Sequence, residues 1–142
     1  MNEQNNSSIL QRLVIDEKDL TPELETLVQE LSRHFRIEKL TGRIIFQNIG
    51  VWNNKQKILI VLMGKYFATA LRLIENSWLS ITEISKEIGV PITTLSSKLR
   101  ELVKAGYIEY SPEPVNKYRI AYLRIREIVD EFLTPKTSNN RR

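Results

Sequence analysis

Apolar residues recur along this chain with a period that changes from segment to segment, and each change marks an element. Thr21, Pro22 and Glu23 read as a helix start: a cap, a proline at the first position and an acid in the first turn. Leu24, Leu27, Val28 and Leu31 then share one helical face, which predicts a helix over 22–34. Alternation takes over in residues 35–46. Phe35-Arg36-Ile37-Glu38 and Arg43-Ile44-Ile45-Phe46 flank Thr41-Gly42, the pattern of a short hairpin. Residues 58–63 are then apolar without a break, and Tyr66, Phe67, Ala70, Leu71, Leu73 and Ile74 extend the pattern. That length favours a helix over 55–75, capped by Asn53 or Asn54. A helix apolar nearly all round needs cover on more than one side, from the N-terminal region or from a second subunit.

Residues 80–106 carry the densest local signals. Ser80 caps a helix, and Glu83 completes a capping box. Ile81, Ile84 and Ile88 share its face. Gly89 supplies a left-handed end, and Pro91 starts a second helix over 91–105. Leu95, Leu99, Leu102 and Val103 line one side of it. The other side holds Thr93, Thr94, Ser96, Ser97, Lys98 and Arg100. Two short helices about a tight glycine turn make a helix-turn-helix. Residues 107–110 and 117–120 then read as strands of a hairpin, with Pro112 and Pro114 in its loop. Ala121, Ile125, Ile128, Val129 and Phe132 predict a last amphipathic helix over 122–133.

Composition narrows the class. The 142 residues favour one domain, with polar, disordered tails at 1–8 and 134–142, the second of them basic. Cysteine is absent, so disulfides and thiolate metal sites are excluded. No secretion signal and no bilayer-spanning run is visible. The net charge of +4 is uneven: net −2 over 1–50 and net +6 over 51–142, which hints at a polyanionic partner for the second part.

The order of helix 55–75, helix 81–88, helix 91–105 and hairpin 107–120 resembles the winged helix-turn-helix DNA-binding proteins, the broad group holding the MarR, ArsR and PadR regulators. The likeness rests on Ile81-Thr82-Glu83-Ile84-Ser85, Gly89-Val90-Pro91, Thr94-Leu95-Ser96-Ser97-Lys98-Leu99 and Leu102-Val103-Lys104-Ala105-Gly106-Tyr107-Ile108. It covers residues 54–133. It implies a mainly α fold with a small β wing (α+β) and a C-terminal helix; residues 9–50 (helix 22–34, hairpin 35–46) lie outside it as an N-terminal extension, a lineage-specific cap or a dimerisation element. The Ile- and Lys-rich style also looks archaeal.

The resemblance implies a dimeric transcriptional regulator on double-stranded DNA, cytoplasmic and nucleoid-associated. Helix 91–105 is expected in the major groove and wing 107–120 on the backbone. Carried over by position, Thr93, Thr94, Ser96, Ser97, Lys98 and Arg100 face bases or phosphates, and Lys117 and Arg119 reach the DNA from the return strand. Helices 55–75 and 122–133 are the expected homodimer surface. Two features favour an alternative, a protein–protein adaptor in a transcription, replication, segregation or membrane-remodelling assembly. Residues 80–121 hold 6 basic against 5 acidic side chains, and Glu113 sits at the wing tip.

Catalysis is not expected. His34 is the only histidine, which leaves no nucleophile–base pair and no zinc set. Asp16, Glu17 and Asp19 lie in a polar connector and read as a solvated patch. Gly64-Lys65 is not a phosphate loop, because Leu59 stands where the first glycine is needed. No cofactor or metal is expected. The pattern leaves room for an effector pocket between the N-terminal region and helix 55–75, lined by Trp52, Tyr66 or Trp78, with the effector unknown.

Overall fold

The computed structural model describes residues 22–133. The tails expected at 1–8 and 134–142, the apolar stretch 9–15, the Asp16, Glu17 and Asp19 patch, the Thr21 cap and the Leu24 side chain lie outside the described residues. The elements run α1 (Pro22–Ser32), β1 (Phe35–Ile37), β2 (Ile44–Phe46), α2 (Asn54–Ala70), α3 (Ile81–Ile88), α4 (Ile92–Lys104), β3 (Ile108–Ser111), β4 (Lys117–Ile120) and α5 (Ile125–Ile128). Strand β1 pairs antiparallel with β2 from Phe35↔Phe46 to Ile37↔Ile44, and β3 pairs with β4 from Ile108↔Ile120 to Ser111↔Lys117.

Helix α2 is the axis of the core. Asn53 caps it in a full capping box with Gln56, whose Nε2 also donates to the Phe132 carbonyl at 2.7 Å. Residues 58–63 are all 0% exposed, so every side of the helix is covered. The cover comes from within the chain: β1 and β2 on one side, α3, α4 and β4 on the other. Ile125, Ile128, Val129 and Leu133 join the same buried core. Much of the surface expected to pair helices 55–75 and 122–133 is taken up by intrachain packing, which leaves Leu71, just past α2, and Leu123 as its exposed large apolar residues.

Three element ends depart from the sequence pattern. Helix α2 stops at Ala70, short of 75, although Leu71, Leu73 and Ile74 continue the apolar run. Arg72 adopts φ +65°, its N–H donates to the Thr69 carbonyl at 2.9 Å, and the Leu73 N–H donates to the Ala68 carbonyl at 2.8 Å. That bond pair is a Schellman end built without glycine. Pro91 caps α4 and does not occupy its first turn. The C-terminal helix is irregular: a 3-10 turn (Tyr122–Arg124), α5, then a π turn (Val129–Leu133). On α1, Leu27 and Leu31 are buried, but Val28 is 39% exposed, because it faces a groove and not the core.

The junction of the hairpin, α2 and α3 is polar and buried. Lys65, only 7% exposed, donates from Nζ to the Gly42 carbonyl at 3.1 Å and lies 3.4 Å from Glu87 Oε2. The same Glu87 oxygen accepts from the Ile44 N–H at 2.8 Å. Beside it the hairpin presses against Gly64, where an added Cβ would stand 2.5 Å from Ile44 Cδ1. Farther round, Arg126 joins Glu30 of α1 at 3.0 Å and Asp130 at 2.6 Å. His34 meets Trp52 edge to face, 5.0 Å between rings, and its burial holds the imidazole pKa below the ordinary value against the opposing pull of Glu30. The Trp52 indole N–H is buried without a hydrogen-bond partner among the described residues.

Candidate nucleic-acid interface

The exposed face belongs to α4, and its neighbours set its angle. Ser80 accepts from the Glu83 N–H, and Glu83 Oε1 accepts from the Ser80 N–H at 2.8 Å, so both halves of the expected capping box are present. Gly89 takes φ +71°, where a side chain would be strained. Ser85 Oγ donates to the Val90 carbonyl at 2.7 Å and ties the turn back to α3. Val90 is buried, and Leu95, Leu99 and Leu102 anchor α4 against α2 and α3. At the far end Gly106 turns the chain at φ +82°. There Arg124 donates to the Ala105 carbonyl at 2.9 Å and lies over the Tyr107 ring. A helix ended by a cation on its last carbonyls is thereby aimed into the hairpin.

Around this scaffold Thr93, Ser96, Ser97 and Arg100 are exposed, and Thr94 and Lys98 are half-buried. No side chain caps the first turn of α4. The hairpin stands beside it. Leu79 bridges to Tyr118 through two backbone hydrogen bonds of 2.8 and 2.9 Å, which joins the lead-in of α3 to the wing. Burial, with Tyr110 beside it, pushes the Tyr118 hydroxyl pKa up, and the charge of Arg100 acts against it. Lys117 is half-buried at the end of β4. Arg119 is committed elsewhere: its Nε donates to Glu109 at 2.7 Å and its guanidinium lies 4.4 Å over the Trp78 ring.

Three acids of this region are also committed, which a simple charge count does not reveal, while Glu113 at the wing tip makes no ion pair among the described residues. Glu87 turns inward to Lys65 and Ile44. Glu101 meets Lys55 of α2 at 2.7 Å, and that hydrogen bond, with smaller help from Lys98 and Arg100, holds its carboxyl below the usual range. Glu109 holds Arg119. Lys98 and Arg100 have no ion-pair partner among the described residues. The Glu87 and Glu101 pairings span elements far apart in the chain, so residue spacing could not find them, whereas Glu109 and Arg119 face each other across the wing. The one available signal was Lys65, a charge inside an otherwise apolar run, which burial obliges to find a partner.

Residues 69–124 match the family model described as sugar-specific transcriptional regulator TrmB. This part of the chain is a winged helix-turn-helix. The match takes in α3, α4 and both wing strands and leaves out α1, the β1–β2 hairpin and most of α2, so it covers less than half of the chain. The family is described as one of transcriptional regulators. No curated protein and no solved structure matches the chain. Among the described residues no helix is long and apolar enough to cross a membrane, and no group of His, Asp and Glu is placed to hold a metal ion.

The aromatic residues expected to line an effector pocket serve other contacts. Trp52 packs on His34, Trp78 on Arg119, and Tyr66 stacks on Tyr122 at 5.4 Å. A groove does lie between the N-terminal region and α2, but Phe35 and Phe67 are its aromatics.

Proposed function

We propose that this protein is a transcriptional regulator that binds double-stranded DNA, with α4 in the major groove and the β3–β4 wing along the backbone. The observation that carries the reading is the sorting of charge around α4. Glu87, Glu101 and Glu109 are each drawn into a pair, while Lys98 and Arg100 stay unpaired beside four Ser and Thr hydroxyls. The likeness of residues 69–124 to a family of transcriptional regulators supports it. Within it, Arg100 is the specific reader, because a guanidinium can hold guanine with two hydrogen bonds. Lys98 and Lys117 serve phosphates, and the open first turn of α4 adds backbone N–H groups. Thr93, Thr94, Ser96 and Ser97 read bases with little selectivity. Arg119 braces the wing through Glu109 and Trp78 and touches DNA only through the surface it positions.

A module this small pairs to read two half-sites about one helical turn apart. Since the middle of α2 is buried, that pairing rests on the exposed part of the expected surface, around Leu123 of the 122–133 segment. A cytoplasmic, nucleoid-bound location follows from the same reading. The family description names sugars, but the groove beside α2 is lined mainly by apolar side chains and offers a polyhydroxylated ligand few partners.

The rival reading, a protein-binding adaptor, draws on the exposed Ile92, Tyr110 and Val115 at the tips of α4 and the wing. Duplex titration at two salt concentrations separates them. Arg100→Ala is expected to cost about 1–3 kcal/mol of affinity for a preferred site, and Lys98→Ala to reduce the salt slope by about 1. Light scattering with and without duplex reads the pairing. Binding indifferent to salt and to both substitutions overturns the DNA reading and favours the adaptor.

A further inference from the structure

A groove of about 360 Å3 opens where α1 and β1 meet the C-terminal end of α2. Val28, Leu31, Phe35, Phe67, Ala70 and Leu71 form its apolar wall, and Arg36 is the one charged residue lining it among the described residues. Val28 is 39% and Leu71 53% exposed. A contiguous apolar patch of this kind usually marks a surface that something covers. We infer that residues 9–15 of the same chain seat in this groove.

Three observations converge on that occupant. The first is chemistry. Ile9, Leu10, Leu13, Val14 and Ile15 crowd five apolar side chains into seven positions, in a part of the chain that is otherwise polar. The second is reach. Residues 16–21 separate that stretch from α1. Extended, the connection spans about 23–25 Å, while Val28 lies only about 9 Å along α1 from Pro22. The stretch can therefore double back along α1 onto the groove. The third is charge. Asp16, Glu17 and Asp19 follow the stretch directly, so seating it brings three acids to the rim where Arg36 stands. Arg36 uses its Nε on the Ser32 carbonyl at 3.1 Å, and its terminal nitrogens make no ion pair among the described residues. Docking by this segment covers Val28 and Leu71 and completes the enclosure of α2 at its C-terminal end.

The chain has no cysteine, which permits a clean test in the full-length protein. Leu13→Cys combined with Leu71→Cys places a single thiol pair across the proposed contact. Under mild oxidation at low concentration, a disulfide within the monomer is expected. It should form on the order of tenfold faster than in a control with Leu13→Cys and Leu123→Cys, whose thiols are tethered but not docked. Leu123 is 87% exposed and lies outside the groove. A second readout is Leu13→Asp, which should raise the fluorescence of an apolar dye by opening the groove. Equal rates for the two cysteine pairs overturn the inference. So does a disulfide formed only between chains, which makes a second copy the occupant, or strong dye binding by the parent chain, which makes the groove open.

Discussion

Two covers enclose α2, and they are built differently. On one side α3, α4 and β4 bring Ile84, Ile88, Leu95, Leu99, Leu102 and Ile120 against it, all buried. Each of the two helices carries its own stop signals, so it needs little help from distant residues to begin and end where it does. On the other side stand α1 and a hairpin with strands of three residues each. Strands that short do not hold register alone. They are pinned by the Lys65–Glu87–Ile44 network, by the close approach over Gly64, and they leave an apolar groove beside α1. A cover specified locally can be assembled by apolar packing. A cover made of weak elements depends on a few long-range contacts, and those contacts are its vulnerable points.

The largest effect should come from the buried pin. Lys65→Met removes the partner of a largely buried Glu87 and leaves the Gly42 carbonyl unpaired, which is expected to cost about 3–5 kcal/mol. Denaturant unfolding measures it. Glu87→Gln in the same chain should recover part of the loss, because a neutral amide oxygen still accepts from the Ile44 N–H while no unpaired charge stays buried. If the two costs simply add, the ion pair does not pin the hairpin, and the contrast between the covers loses its main support.

Next comes the close approach. Gly64→Ala places a methyl group 2.5 Å from Ile44 Cδ1, and forcing the hairpin outward should cost about 1–3 kcal/mol. Ile44→Val removes that carbon and by itself should cost about 0.5–1.5 kcal/mol. The double variant should cost less than the sum of the two. Additive costs would locate the strain of Gly64→Ala somewhere other than the hairpin contact.

The same contrast governs how much of the molecule its residues disclose locally. Ser80, Glu83 and Gly89 act within one turn of themselves, so the helix-turn-helix and its solvent face are legible from spacing. The end of α2 is not. Arg72 takes a left-handed conformation without glycine, and the apolar pattern runs on to Ile74 past the true stop. The uses of Arg119 and Glu101 are equally hidden, because Trp78 and Lys55 lie 41 and 46 residues away in the chain. Near-neutral charge over 80–121 therefore does not disclose that Glu87 and Glu101 are matched by Lys65 and Lys55 from outside that stretch.

The smallest effect tests the locally specified cover. Ser80→Ala deletes the side-chain half of the α3 capping box and leaves the Glu83 N–H without its acceptor. The expected cost is about 1 kcal/mol, within the roughly 0.5–2 kcal/mol typical of lost caps. Its distribution matters more than its size. Native-state hydrogen exchange should show protection lost first at the start of α3 in Ser80→Ala and first at β1 and β2 in Lys65→Met, since each substitution loosens the cover it belongs to before it loosens α2. If both variants lose protection evenly across all elements, the two covers open together with α2 as one cooperative unit. The difference between them then lies in how each is positioned and not in how firmly each is held.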